Sequence, residues 1–115
     1  MSWNAIHWYA QRITGAALVL LLVAHFWVEH FASERLLRGE LSYEAIRTRI
    51  ASPLWQGIDI AFLLIALYHG LSGLRNILLD HGRIGPAAAR ALTAVLIAAG
   101  LLWAWWGIEA FANLR

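Results

Sequence analysis

Three long apolar stretches dominate the sequence, and most polar positions lie between them. The stretches span residues 13–31, 57–79 and 87–108. Each is close to the roughly 20 residues that an α-helix needs to cross the hydrocarbon core of a bilayer. Because lipid offers no hydrogen-bond partners, a helix suits such a segment. The pattern predicts an all-α membrane protein whose three transmembrane helices run up-down-up.

The two connections between these stretches differ in character. Residues 32–53 mix four arginines and three glutamates with leucines, which predicts an amphipathic segment on the membrane surface. The second connection contains Gly82, Gly85 and Pro86. Glycines end helices and proline suits a first helical turn, so the second and third helices are predicted to form an antiparallel hairpin.

Composition narrows the class of protein. Hydrophobic residues make up 61% of the chain and charged residues 14%, whereas soluble domains carry about 25% charged residues. The sequence contains no cysteine, which excludes disulfides and cysteine-ligated iron–sulfur clusters within residues 1–115. All nine basic residues are arginines, which we assign to membrane interfaces instead of to nucleic-acid binding. We therefore expect one membrane domain, with the first helix retained because no signal-peptide pattern precedes it.

His69 is the most informative polar residue, because it lies near the middle of the second predicted helix. Gly73, Asn76 and Asp80 fall within about 40° of it around a helix. An imidazole at this depth needs polar partners or a metal. Gly73 leaves room for a flat macrocycle, which fits axial ligation of haem iron by His69. A hydrogen bond to a neighbouring helix is the alternative interpretation.

Arg75 and His25 are two further candidate residues for haem binding. The long side chain of Arg75 could reach a haem propionate or the lipid headgroups. His25 has Glu29 one turn later and lies at a different depth from His69, so the two would not clamp one haem. His25 either pairs with Glu29 or ligates a second haem. The third helix has no histidine, so a second ligand for a haem at His69 would come from another chain.

Three polar residues are predicted to gather at one interface. Arg12, in the run QRITG, lies on the same membrane side as Asp80 and His81 if the helices alternate in direction. Such residues could bind a quinone head while its apolar tail lies in lipid. Three interfacial side chains solvated by water are the alternative.

Two segments resemble a known family. The run ASPLWQGIDIAFLLIALYHGLSGLRNILLDHG, residues 51–82, resembles the second helix of the small membrane-anchor subunits of succinate dehydrogenase (succinate:quinone oxidoreductase, complex II). The run HWYAQRITG resembles their entry into the first helix. The shared core is a histidine, a glycine four residues later and an aspartate seven residues after that glycine. SPLWQ and HGLSGLRNILLD favour the smaller of the two anchors in this enzyme over its sister.

The resemblance implies partners and cofactors as well as a fold. A sister three-helix anchor would make this chain half of a two-subunit helix bundle that holds one haem b. His69 would be the axial iron ligand, and Arg12 and Asp80 would border the quinone. His81 stands where the family usually has tyrosine. His25 is where the extra histidine of two-haem relatives would appear.

The same resemblance assigns the chain to electron transport. A flavoprotein subunit and an iron–sulfur subunit would oxidise succinate, a tricarboxylic acid cycle reaction, and pass electrons to quinone in the inner (cytoplasmic) membrane. The chain would be an enzyme only as part of that complex, since it has no flavin motif or cluster ligands. A haem-bearing anchor of fumarate reductase or another quinone-linked respiratory enzyme is one alternative. A haem-free structural membrane protein is the other.

Overall fold

The computed structural model describes residues 2–27 and 43–113, and every regular element in these ranges is an α-helix. Helix α1 spans Trp3–Trp27, α2 spans Tyr43–Ile50, α3 spans Pro53–His81 and α4 spans Pro86–Ala112. Helices α1, α3 and α4 are long and apolar enough to cross a membrane. The all-α membrane fold with three spanning helices is therefore confirmed.

The helices are longer than the apolar stretches that predicted them. Helix α1 begins ten residues before the expected start at residue 13, and α3 and α4 extend past 57–79 and 87–108 at both ends. In α1 the added turns are stabilised locally, because the Arg12 guanidinium lies 4.0 Å from the ring centre of Trp8, one turn earlier. Hydropathy marks only the part of a helix suited to lipid, and the backbone continues beyond it. The predicted end at residue 31 lies outside the described residues.

The connections agree with the sequence where they are described. Residues 43–50 of the predicted surface segment form α2, a short helix with arginines in its last turn, and residues 32–42 lie outside the described part. Pro86 starts a helix, as expected, and Pro53, which was assigned to the surface segment, starts another. The turn between α3 and α4 places Arg83 at φ 47°, in the left-handed region. Gly82 precedes Arg83, and a Cβ at Gly82 would collide with the Leu78 carbonyl oxygen.

Helix α3 is the central element, because both α1 and α4 pack against it. Glycines of α4 allow leucines of α3 to approach closely: a Cβ at Gly100 would lie 2.8 Å from Leu71 Cδ1, and one at Gly107 would overlap Leu63. Small residues commonly let membrane helices approach in this way. Side chains that leave α3 toward α1 and those that leave it toward α4 therefore belong to two separate interfaces.

Burial is inverted relative to a soluble protein. Among the described side chains no apolar one is buried, and the buried ones are Gln56 and Asp59, which are 5% and 7% exposed. Gln56 donates a hydrogen bond of 2.7 Å to the Phe111 carbonyl at the end of α4. Apolar surfaces that face outward suit lipid or a neighbouring membrane protein, and the polar groups are enclosed between helices.

Candidate functional site

The imidazole of His69 lies against α1. A Cβ added to Gly15 would come within 3.0 Å of His69 Cε1, so the absence of a side chain at Gly15 is what lets the ring lie so close. His69 itself is half-buried. The ring is thus held between two helices and does not project freely from α3.

Thr14 supplies the polar contact to this ring. Its Oγ1 lies 3.1 Å from His69 Nδ1 and also 2.7 Å from the Ala10 carbonyl oxygen, one turn back in α1. Among the described residues, His69 Nε2 makes no hydrogen bond. Nδ1 of the ring is therefore engaged within the chain, whereas Nε2 has no hydrogen-bond partner among the described residues.

A second pair of side chains holds the backbone of His69. Gln11 Nε2 donates a 3.0 Å hydrogen bond to the His69 carbonyl oxygen, and Ser72 donates to Gln11 Oε1 at 2.5 Å. We call Gln11, Thr14, His69 and Ser72 the His69 cluster. Ring and backbone of His69 are both fixed by α1, at adjacent turns.

The run QRITG has a structural role beyond the one predicted for it. Gln11, Thr14 and Gly15 are spaced i, i+3 and i+4, the spacing that places residues on one face of a helix. That face contacts α3 around His69. Only Arg12 of this run was predicted to be functional, although the helical spacing of the other three is visible in the sequence.

Gly73 is placed differently from the expectation. The Gln11 amide lies over it, since a Cβ at Gly73 would be 3.0 Å from Gln11 Nε2. The space predicted for a flat macrocycle is taken by a side chain of α1. Gly73 instead allows the Gln11 amide to reach the His69 carbonyl.

Arg75 faces the other interface of α3. Its Nε donates a 2.8 Å hydrogen bond to Thr93 Oγ1 of α4. The structure therefore does not bring Arg75 into the His69 cluster. Its terminal guanidinium nitrogens make no further hydrogen bond or ion pair with the described residues.

His25 contacts a residue that was not among the predicted site residues. His25 Nδ1 lies 3.4 Å from Asp59 Oδ1, and the two side chains are 28% and 7% exposed. The predicted partner, Glu29, lies outside the described residues. Asp59 is ten residues, about 15 Å, from His69 along α3. An ionisable residue inside an apolar span is itself a signal of function, and Asp59 met that criterion.

The three residues predicted at the quinone site are exposed, but the structure does not join them. Arg12 lies over Trp8, and His81 Nδ1 is 3.1 Å from the Ile77 carbonyl oxygen. Asp80 is in the last turn of α3. Because Gln11 contacts Ser72, Arg12 lies toward the same end of the α1–α3 pair as Asp80. Arg12 and Asp80 are about 12 Å apart along the helix axes.

The donor set suits one kind of metal group. In the described ranges, no three histidine, cysteine, aspartate or glutamate side chains lie close enough to hold a bare metal ion. His69 offers a single imidazole nitrogen, and a haem requires only that from each axial side because its macrocycle supplies four nitrogens. The residues present therefore fit haem iron better than a free ion.

Comparison with known proteins identifies the family of this chain. The chain is 35% identical over 101 residues to the succinate dehydrogenase hydrophobic membrane anchor subunit of Archaeoglobus fulgidus. The aligned residues make up 88% of this chain and 82% of that protein. The protein of the same name from Thermoplasma acidophilum is 26% identical over 80 residues, or 70% of this chain and 63% of that protein. Residues 2–108 match the sequence model of a transmembrane subunit family. The chain belongs to the succinate dehydrogenase/fumarate reductase transmembrane subunit family.

Proposed function

We propose that this chain is a membrane anchor of succinate dehydrogenase that binds haem b through His69 and contributes to a quinone-reduction site. One observation carries the haem assignment: the half-buried His69 ring has its Nδ1 engaged by Thr14, while Nε2 has no partner among the described residues. Family membership supports the wider assignment to the enzyme complex.

The chain's own residues define what it does toward the haem. His69 would hold the haem iron through Nε2, and the contacts from α1 fix the orientation of its ring. Arg75 is the proposed partner of a propionate through its terminal nitrogens, because only its Nε is engaged by Thr93. When bound, the haem takes up and releases one electron. A second ligand for the iron would come from the sister three-helix anchor, because no described side chain forms a hydrogen bond with His69 Nε2.

The quinone site is proposed at the exposed end of α3. Reduction of a quinone to a quinol consumes two electrons and two protons, so the site needs groups that bind the oxygen atoms and exchange protons. Arg12 can donate hydrogen bonds to an oxygen, and Asp80 and His81 can carry protons. All three are exposed, which leaves them accessible from the membrane interface.

The remaining parts of the proposal concern the assembly. A flavoprotein subunit and an iron–sulfur subunit deliver electrons from succinate, and the complex lies in the inner (cytoplasmic) membrane. The names of both relatives support succinate oxidation as the direction. A fumarate reductase anchor is the alternative, because the family includes the transmembrane subunits of both enzymes.

The haem assignment is tested in the purified complex with His69→Ala. We expect the low-spin b-type absorbance to be lost, while His7→Ala, which changes an exposed histidine of α1, leaves it intact. An unchanged spectrum in His69→Ala would overturn the assignment. His25→Ala separates one haem from two, since loss of about half the absorbance would indicate a second haem.

The quinone assignment is tested with Arg12→Ala and Asp80→Ala. We expect both variants to reduce quinone more slowly, and Asp80→Ala by roughly the 10²-fold or more attributed to a positioned acid or base. Electron transfer from succinate to an artificial soluble acceptor should persist. Equal loss of both activities would instead indicate failed assembly.

A haem-free structural role is the second candidate, favoured by the fact that Thr14 already gives the His69 ring a helix-packing partner. Pyridine haemochrome analysis of the purified complex decides between the two. A complex that is fully active without haem would support the structural role.

A further inference from the structure

The position of the Thr14 hydroxyl proton follows from two distances. A threonine hydroxyl has one proton to donate and lone pairs to accept with. Thr14 Oγ1 lies 2.7 Å from the Ala10 carbonyl oxygen, which can only accept. That is the usual O–H···O distance, and two oxygens so close repel unless a proton lies between them. The Thr14 proton is therefore directed at Ala10.

This leaves Thr14 as an acceptor toward His69. The 3.1 Å contact between Thr14 Oγ1 and His69 Nδ1 needs one proton, and the hydroxyl proton is already in use. We infer that His69 Nδ1 carries the proton and donates it to Thr14, so that Thr14 positions His69 as the tautomer whose lone pair is on Nε2. This inference rests on the proposed haem function.

The physical consequence is a stronger iron ligand. An acceptor at Nδ1–H raises the electron-donating power of the imidazole and fixes the ring orientation. Better donation favours ferric over ferrous iron, so loss of the acceptor should raise the midpoint potential of the haem. Loss of such an outer partner typically weakens metal binding about 10- to 100-fold.

The experiment compares Thr14→Val with Thr14→Ser in the purified complex. Valine keeps the branched shape without a hydroxyl, and serine keeps the hydroxyl. We expect Thr14→Val to release haem to apomyoglobin about 10-fold or more faster and to show a higher midpoint potential. Thr14→Ser should resemble the wild type in both measurements.

Thr48→Val is the matched control, because Thr48 Oγ1 donates a 2.7 Å hydrogen bond to the Glu44 carbonyl one turn back but contacts no histidine among the described residues. If Thr14→Val does not assemble, Thr14→Cys gives the same comparison, since a thiol is a weak acceptor. Wild-type haem retention and potential in the assembled variant would overturn the inference.

The experiments distinguish an error in the proposed function from an error in the role of Thr14. If His69→Ala keeps the haem spectrum, His69 is not the ligand and the proposed function is wrong. If His69→Ala loses the spectrum while the hydroxyl-free Thr14 variants behave as wild type, the haem assignment stands and the role of Thr14 is wrong.

Discussion

Two histidines lie at the interface of α1 and α3, and their partners differ in charge. His69 contacts a neutral hydroxyl, and the rest of the His69 cluster is also uncharged. His25 contacts the carboxyl group of Asp59, which is 7% exposed. Both contacts join the same two helices, about 15 Å apart along α3.

The two partners suit the two imidazoles to different roles. The neutral partner fixes the His69 ring through Nδ1, and Nε2 has no hydrogen-bond partner among the described residues. A buried carboxylate instead needs a compensating proton or positive charge, because an isolated charge is costly in lipid. Asp59 Oδ1 is buried and has no hydrogen-bond partner among the described residues, and the His25 imidazole lies 3.4 Å from it. The His69 contact thus suits a cofactor, and the His25–Asp59 contact suits helix association.

The largest change in stability is expected at the contact between His25 and Asp59. His25→Leu leaves the Asp59 carboxyl without its partner and should destabilise the assembled protein by about 3 kcal/mol. Thermal unfolding of the detergent-solubilised complex measures this change. The double variant with Asp59→Leu should recover most of the loss, because it leaves no isolated charge. A single variant as stable as wild type would show that the contact contributes nothing.

A smaller effect is expected from the two glycines beside the His69 cluster. A Cβ at either Gly15 or Gly73 would lie 3.0 Å from its nearest neighbour. At Gly15 that neighbour is the fixed His69 ring, so Gly15→Ala should shift the spectrum of the proposed haem and cost about 1–2 kcal/mol. At Gly73 it is the flexible Gln11 amide, so Gly73→Ala should change stability by less than about 1 kcal/mol.

Absorbance spectra and thermal unfolding of the two alanine variants test this difference. If Gly73→Ala perturbed the haem more than Gly15→Ala, the ring would not be the rigid member of the cluster.

The smallest effect is expected at Ser72. Ser72→Ala removes the hydroxyl that contacts Gln11 and, one turn back in α3, the Tyr68 carbonyl oxygen. It should cost about 0.6 kcal/mol, the average for hydrogen bonds between membrane helices. Thermal unfolding again provides the measurement. Ser52→Ala is the matched control, since the Ser52 hydroxyl makes no capping hydrogen bond. Equal losses in the two variants would show that the Gln11 contact adds no stability.

The sequence predicted the number of spanning helices and the hairpin of α3 and α4, because hydropathy and the Gly82-to-Pro86 run are local signals. Helix α1 begins ten residues before the predicted apolar stretch, since polar turns outside the lipid can be helical without being apolar. The partners of His69 and His25 depend on how α1 is rotated against α3. Rotation is set by packing between helices, which a one-dimensional pattern does not record.

The central position of α3 has an evolutionary consequence. Residues of α3 that face α1 or α4 must suit a fixed neighbour, such as Ser72 toward Gln11 or Leu71 toward Gly100. Those outward sides of α1 and α4 that face lipid need only remain apolar, and many different side chains meet that demand. Substitutions should therefore accumulate slowly in α3 and quickly on the lipid-facing sides of the flanking helices. In related chains, the rate of sequence change should trace the two interfaces of α3.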